Sequence, residues 1–430
     1  MKLRIGCMRL ACAAAFWSCL VLNAAEPAHA SPRLSIREAL VLAEQHSPEL
    51  KASRLELPAF DGLRQQASLR PANEISVEME NALGTGSLQG LDSAEFTLAL
   101  SHIFELGDKR ERRLGVVDAQ QELVLANIEE QRLALAAEVL SRFVAVAANQ
   151  SRLELAGRDL ELAERTLSAV NERVDAALAP EAERHRARAN LERARTRKEL
   201  ASLAEINSMA WLVSLWDASA PAYSGVDADL LALPELLSAD EMLQSLEGSP
   251  RARQLTTVRA LREAEMQLAQ SRSNRDVSVG GGLRYLREVD DAGVVVSLSV
   301  PLGTSSRNQG AVDEARAVLE QSDALFAAEM FKARSILVRY YNELTEARAL
   351  FESLRDRVMP ELESALEGTR TAYETGRYGY LELANAQVLL IEAQGELINA
   401  AERYHELLAS IERITGQALA RPSDPAGANQ

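Results

Sequence analysis

Two stretches of the chain alternate apolar and polar residues with a period of two. In the first, Ile75, Val77 and Met79 alternate with Glu74, Ser76, Glu78 and Glu80; after a Gly-rich loop, Phe96, Leu98 and Leu100 alternate with Glu95, Thr97 and Ser101. In the second, Val277, Val279, Gly281, Leu283 and Tyr285 alternate with Ser278, Gly280, Gly282 and Arg284, and Val294, Val296, Leu298 and Val300 alternate with Ser297 and Ser299. The pattern predicts one β-hairpin in each half, about 73–104 and 276–301, with strands of roughly nine residues. That length suits a tilted strand crossing a bilayer with one face in lipid and one face wet. A soluble hairpin with one buried face has the same alternation, so either hairpin alone leaves both readings open.

Elsewhere the period is helical. The stretches from about 107 to 178 and from about 307 to 375 contain few helix breakers, and each amounts to about 100 Å of helix if continuous. Leu153, Leu160, Leu167 and Val174 recur every seven residues, each followed three positions later by Ala156, Ala163, Val170 and Ala177. Leu383, Leu390, Leu397, Tyr404 and Ile411 do the same with Ala386, Ala393, Ala400, Leu407 and Ile414. Such 3–4 seams predict supercoiled helices, and the frequent Ala lets neighbouring helices approach closely. Each rod ends at a turn, Ala177-Leu178-Ala179-Pro180 and Gly376-Arg377-Tyr378-Gly379, before return helices over about 181–216 and 380–416. Pro360 predicts a kink or a seam within the second rod.

The same order therefore occurs twice. Ser35-Ile36-Arg37-Glu38-Ala39-Leu40 precedes Ser47-Pro48, and Ser238-Ala239-Asp240-Glu241-Met242-Leu243 precedes Ser249-Pro250. After each Ser-Pro a helical stretch of some 20 residues is expected, reaching Leu69 and Ser271. An offset of about two hundred residues is a duplicated domain rather than a solenoid unit. The expected organisation is a first repeat over 31–217, a linker over 218–234, a second repeat over 235–416 and a disordered tail over 417–430.

Residues 1–30 read as a secretory signal: Lys2, Arg4 and Arg9, an apolar run from Leu10 to Leu22, and a cleavage site at Ala28-His29-Ala30. All three cysteines, Cys7, Cys12 and Cys19, fall inside it, so the mature chain is expected to have no thiol. Cys19 as a lipid acceptor is the rival reading, and the bulky Phe16-Trp17-Ser18 before it argues against that. Cleavage takes the formal net charge from -16 to -18, which disfavours nucleic acid as a partner. No later stretch reaches 18 apolar residues without a charge, so any membrane crossing falls to the strands.

Sites for chemistry are sparse. His46, His102, His185 and His405 stand at no metal-ligand spacing, Gly280-Gly281-Gly282 lies within a strand rather than ahead of a helix, and no nucleophile elbow or Walker sequence occurs. Neither a metal site, a cofactor nor an enzyme activity is expected. The carboxylates read as solvated helix faces with pairs such as Glu161 and Arg165.

The chain resembles the TolC-type outer-membrane efflux proteins, and more narrowly their CzcC-like heavy-metal branch, over Leu34 to about Leu419. The resemblance rests on the doubled element order, on Ser101-His102-Ile103-Phe104-Glu105-Leu106-Gly107-Asp108-Lys109-Arg110, on Val300-Pro301-Leu302-Gly303, and on Tyr373-Glu374-Thr375-Gly376-Arg377-Tyr378-Gly379-Tyr380-Leu381-Glu382-Leu383-Ala384-Asn385-Ala386. The first of these is similar to the branch's Ser-Gln-x-x-Glu-Leu-Gly-Gly-Lys-Arg. The resemblance implies a mainly α protein with a small transmembrane β part: a homotrimer whose chains each lend four strands to a twelve-stranded barrel above an α-helical periplasmic tube. It also implies a periplasmic adaptor and a resistance-nodulation-division pump as partners, with metal cations passively conducted.

Carried over residue by residue, the adaptor-facing turns are Ala177, Leu178, Ala179 and Pro180 with Gly376, Arg377, Tyr378 and Gly379. The acidic ring at the periplasmic mouth falls on Glu382 and Asn385, with first-half equivalents Glu183 and Arg186. Only Glu382 and Glu183 of these four are acidic, so a fully acidic gate is in doubt. Arg186 near Glu382 suggests ion pairing there instead. The competing readings are a soluble periplasmic coiled-coil adaptor or tether, and an outer channel for organic toxicants or type I secretion.

Overall fold

The computed structural model describes residues 32–216, 223–235 and 237–417. The expected signal segment with its cysteines, part of the expected linker and nearly all of the expected tail lie outside the described residues. The first repeat runs α1 (Ile36–His46), α2 (Pro48–Arg54), α3 (Ala59–Ser68), β1 (Glu74–Glu80), β2 (Glu95–Phe104), α4 (Lys109–Asp175) and α5 (Glu181–Val213). The second runs α6 (Ala239–Ser245), α7 (Pro250–Ser271), β3 (Val277–Leu286), β4 (Asp291–Ser299), α8 (Thr304–Ser353), α9 (Met359–Glu374) and α10 (Tyr380–Thr415).

The repeated Ser-Pro pairs start helices in both halves. Ser47 and Ser249 accept hydrogen bonds from the backbone N–H of Leu50 and Ala252, while Pro48 and Pro250 occupy the first helical turn. A proline there gives up only an N–H that would have no helical partner. Beyond these starts the two repeats diverge. The second has one unbroken helix, α7, whereas the first is split into α2 and α3 by a turn at residues 55–58. Pro58 falls in this turn and donates no hydrogen bond, and the bonds around it tighten to i→i+3, Leu57 N–H to the Arg54 carbonyl and Ala59 N–H to the Glu56 carbonyl.

The second rod is likewise divided. Leu354–Val358 forms a π-helical turn between α8 and α9, with the Met359 N–H reaching the Leu354 carbonyl. Pro360, which has no N–H to continue the helical ladder, stands just after this turn, so the break falls where the sequence placed it. The first rod, α4, is continuous over 67 residues.

The 3–4 seam of α10 is the core seam. Leu383, Leu390, Tyr404 and Ile411 are all buried, as are Ala393, Ala400 and Leu407. The main cluster joins Leu34, Val139, Phe143, Leu212, Trp216 and Ile398, tying the start of the described chain to α4, α5 and α10. A second cluster brings Met242 of α6 and Leu337 and Leu344 of α8 against Tyr404, Leu407 and Ile411. Among the described residues α4 alone contains an 18-residue window apolar enough to span a bilayer. Its Val139, Phe143, Val146 and Ala147 sit in the main core, and a third of the window is buried.

Candidate pore wall and helix turns

The four strands form one antiparallel sheet in the order β1-β2-β3-β4, joining the two repeats through β2 and β3. Register sets the faces. Val77, Leu98, Leu283 and Val294 lie abreast across all four strands, and Ile75, Leu100, Gly281 and Val296 form the next row. This apolar face is bare: Val77, Leu98, Leu283, Val294 and Val296 are each more than half exposed. An uncovered apolar sheet face of this extent marks a surface made for lipid or for a partner.

The opposite face is polar and acidic. It carries Glu74, Ser76, Glu78 and Glu80 of β1, Glu95, Thr97 and Ser101 of β2, Ser278 and Arg284 of β3, and Asp291, Ser297 and Ser299 of β4. Arg284 is the one basic side chain on this face, and it pairs with Glu80 and Glu95 at 2.9 Å each while donating to Thr97 Oγ1 at 3.0 Å. Gly282 faces the same way. A Cβ there would come within 2.4 Å of the Leu98 carbonyl oxygen, so only glycine lets β2 and β3 lie this close.

Where sheet meets helices, the Glu-Leu-Gly-Asp-Lys-Arg motif builds a joint. Arg113 holds Glu105 through two hydrogen bonds of 2.6 and 2.9 Å and also donates to the Leu69 and Ala67 carbonyls at the end of α3. The buried Lys109 ammonium reaches Asp276 Oδ1 at 2.6 Å and the Asn274 carbonyl at 3.0 Å, just before β3. Asp276 Oδ1 in turn accepts from the Leu106 N–H. Three of the four crossings between sheet and helices are thus tied to one another.

At the far end, two helix turns use the same cap. Leu178 N–H donates to the Arg173 carbonyl at 2.8 Å, and Arg377 N–H donates to the Ala372 carbonyl at 2.8 Å. Ala177 and Gly376 take the left-handed conformation these caps require. Ala177, Leu178 and Pro180 are exposed, as are Gly376, Arg377 and Tyr378, whereas Ala179 and Gly379 are partly covered.

Of the four residues read as a constriction, Glu183 and Glu382 lie beside one glycine. A Cβ on Gly379 would lie 3.2 Å from Glu382 Oε2 and 3.9 Å from Glu183 Oε1, which places both carboxylates beside that glycine. Glu382, Asn385 and Arg186 are exposed and Glu183 is half-buried. The expected Arg186–Glu382 ion pair is absent within the chain among the described residues. The side chain that fastens the two turns is instead Arg173, which donates to the Tyr373 carbonyl and stacks 4.5 Å over the Tyr373 ring.

Burial pushes the phenols of Tyr373 and Tyr380 up, and the Glu183 carboxylate raises both further; Arg173 opposes this at Tyr373 and Arg186 at Tyr380. The sequence marked this contact only weakly. Tyr373 and Tyr380 fall in the quoted motif, but nothing in the heptad pattern singles out Arg173, two hundred residues away.

The family model described as outer membrane efflux protein matches residues 39–216 and 243–417, nearly the whole of both repeats. The chain belongs to the outer membrane efflux protein family. This is a family of efflux proteins, which sets aside the soluble adaptor, the tether and enzyme activity. The family member is 26% identical over 393 residues to the cobalt-zinc-cadmium resistance protein CzcC of Cupriavidus metallidurans, covering 91% of this chain and 92% of that one. It is 24% identical over 266 residues to the nickel-cobalt-cadmium resistance protein NccC of Alcaligenes xylosoxydans, covering 62% and 60%. The CzcC-like resemblance drawn from the motifs is borne out.

Solved structures share the fold of this efflux protein. The outer-membrane channel OprN superposes with a TM-score of 0.70 at 17% identity, covering 89% of each chain. CusC superposes at 0.65 with 18% identity, covering 88% of this chain and 91% of that one. The expected fold class, mainly α with a small four-stranded β part, is borne out.

Proposed function

We propose that the chain is the outer-membrane channel of a tripartite export system, a homotrimer conducting divalent heavy-metal cations from a periplasmic adaptor and an inner-membrane pump to the exterior. One observation carries it: a sheet whose apolar face is bare and whose two edge strands, β1 and β4, have no further partner among the described residues. In hydrocarbon each unpaired peptide group costs several kcal/mol, so four strands are stable there only inside a closed ring. Three copies close it with twelve strands, β4 of each pairing with β1 of the next. The apolar face then meets lipid and the acidic face meets water.

Transport through such a pore is passive, and energy comes from the pump. The cation cargo is supported by the acids of the strands' polar face, which outnumber Arg284 there, and by the metal resistance for which the similar proteins are named. The turns at 177–180 and 376–379 are the surfaces for the adaptor, and Glu183 and Glu382 beside Gly379 are the charged groups at the mouth. The experiment has two arms. The purified mature protein should form trimers and ion-conducting pores in planar bilayers, and deleting its gene should raise sensitivity to cobalt, zinc and cadmium. A monomer that makes no pore defeats the channel; sensitivity confined to organic toxicants defeats the metal cargo.

A further inference from the structure

The four segments that join sheet to helices, residues 69–73, 105–113, 272–276 and 300–307, hold eight basic side chains against four acidic ones, in a chain whose net charge is -16. Part of this charge is spent internally, Lys109 on Asp276 and Arg113 on Glu105. Arg70, Arg272, Arg275 and Arg307 are exposed, and their guanidinium groups have no partner among the described residues. They lie at three of the four crossings, and Arg110 stands at the remaining one. Asp108 and Glu111, the two acids here without an ion pair, both belong to the crossing after β2.

An open cleft of about 380 Å³ lies at the foot of the apolar face, lined by Arg70, His102, Phe104 and Arg110 and also by Asp108 and Glu111. His102 is fixed by Asn73 Oδ1 at 2.7 Å and stands edge-on to Phe104 with ring centroids 4.7 Å apart. Arg110 spends its Nε–H on the Ser68 carbonyl and keeps its other donors. His102 and Phe104 share the bare face with Leu100 and Val279. The cleft therefore brings guanidinium groups and the foot of the apolar face into one lining.

We infer that this basic collar binds the phosphodiester headgroup of an anionic phospholipid in the periplasm-facing leaflet, with the acyl chains lying against the apolar face. The inference rests on the outer-membrane reading above. Charge complementarity selects a phosphate, and continuity with the bare sheet face selects one that carries hydrocarbon. Arginines near an anionic surface act additively, and each contributes about fivefold to lipid preference. Guanidinium also grips phosphate oxygens in pairs.

The test uses the purified full-length trimer in nanodiscs of equal phosphatidylglycerol and phosphatidylcholine, with the retained lipids counted by native mass spectrometry. Wild-type protein should retain phosphatidylglycerol preferentially, and the combined Arg70→Ala, Arg275→Ala, Arg307→Ala variant should lose that preference while still opening pores in planar bilayers. The corresponding triple Lys variant should keep most of it. Equal retention of the two lipids by the wild type, or an unchanged preference in the Ala variant, overturns the inference. Displacement of phosphatidylglycerol by free inorganic phosphate at constant ionic strength also overturns it, marking a site for soluble anions. Should the Ala variant fail to fold, salt decides: a preference that persists in the wild type at about 1 M salt is not electrostatic and overturns the collar. Failure of the wild type to form pores would instead count against the channel itself.

Discussion

Ala177 and Gly376 hold the same position in two copies of one helix cap, with φ of 60° and 77°. Glycine adopts this conformation freely, whereas an L-residue with a Cβ is strained there by roughly 1–2 kcal/mol. Replacing Ala177 by Gly should therefore stabilise the protein by about 0.5–1 kcal/mol, the larger freedom of glycine in the unfolded chain offsetting part of the gain. A raised unfolding temperature checks this; a lowered one means the methyl group makes a contact worth more than the strain.

Gly107 is the opposite case. Its φ is 81°, and a Cβ would come within 2.0 Å of Asn274 Nδ2. Gly107→Ala should cost more than the backbone strain alone, which is on the order of 1 kcal/mol. Adding Asn274→Ala should recover the part of the steric cost due to the amide, while the Asn274 Cβ, which would still lie 2.7 Å away, and the backbone strain keep the rest. A double mutant no better than the single one would refute this division.

Leu98 and Ser76 occupy opposite faces of neighbouring strands, one among bare apolar side chains and one beside Glu74 and Glu78. Leu98→Arg should oppose membrane insertion by about 2–4 kcal/mol if it sits near the bilayer midplane, whereas Ser76→Arg should insert normally and reduce cation preference. Membrane fractionation and reversal potentials in asymmetric salt separate these outcomes. Normal insertion of Leu98→Arg with failure of Ser76→Arg would mean that the faces are assigned the wrong way round, and equal insertion of both would mean that neither face meets lipid.

His405 couples folding to acidity. Its Nε2 lies 2.9 Å from the Leu230 carbonyl, to which it donates, and burial holds its pKa below the ordinary 6.5; the Leu230 bond and Asp229 only partly oppose this. Because the folded-state value is the lower one, the neutral ring's contribution is complete above pH 6.5 and is lost as pH falls through the depressed folded value. The unfolding temperature of the wild type should drop between pH 7 and 5, and His405→Gln should flatten that drop. An identical slope in the variant would assign the loss to other groups.

At the turns, Glu183 and Glu382 share the neighbourhood of Gly379, while Arg186 forms no bond to Glu382 within the chain. Glu183→Gln together with Glu382→Gln should lower cation preference, and Arg186→Ala should leave conductance within about twofold, because exposed charges outside a pair interact weakly. A large conductance increase in Arg186→Ala would place its partner on a neighbouring subunit.

Local periodicity carried much of the architecture. The face of each strand followed from alternation, since register moves in steps that invert every side chain, and Leu383, Leu390, Tyr404 and Ile411 are buried at the spacing their heptads imply. The split between α2 and α3 was written in Pro58 but masked by apolar residues on either side. Relations across distance were not legible in this way. Arg173 over Tyr373 and Lys109 with Asp276 each join residues on different helices or crossings, and a helical period says which face is apolar without saying what that face will meet.

The unfinished edges of β1 and β4 bear on heredity as well as on mechanics. In a ring of three, one copy with a spoiled edge interrupts the seam for all, so a cell making sound and faulty copies in equal amounts assembles only about one intact ring in eight. Alleles damaging these two strands should therefore act dominantly, whereas lesions confined to a subunit's own helical interior should be masked by a good second copy.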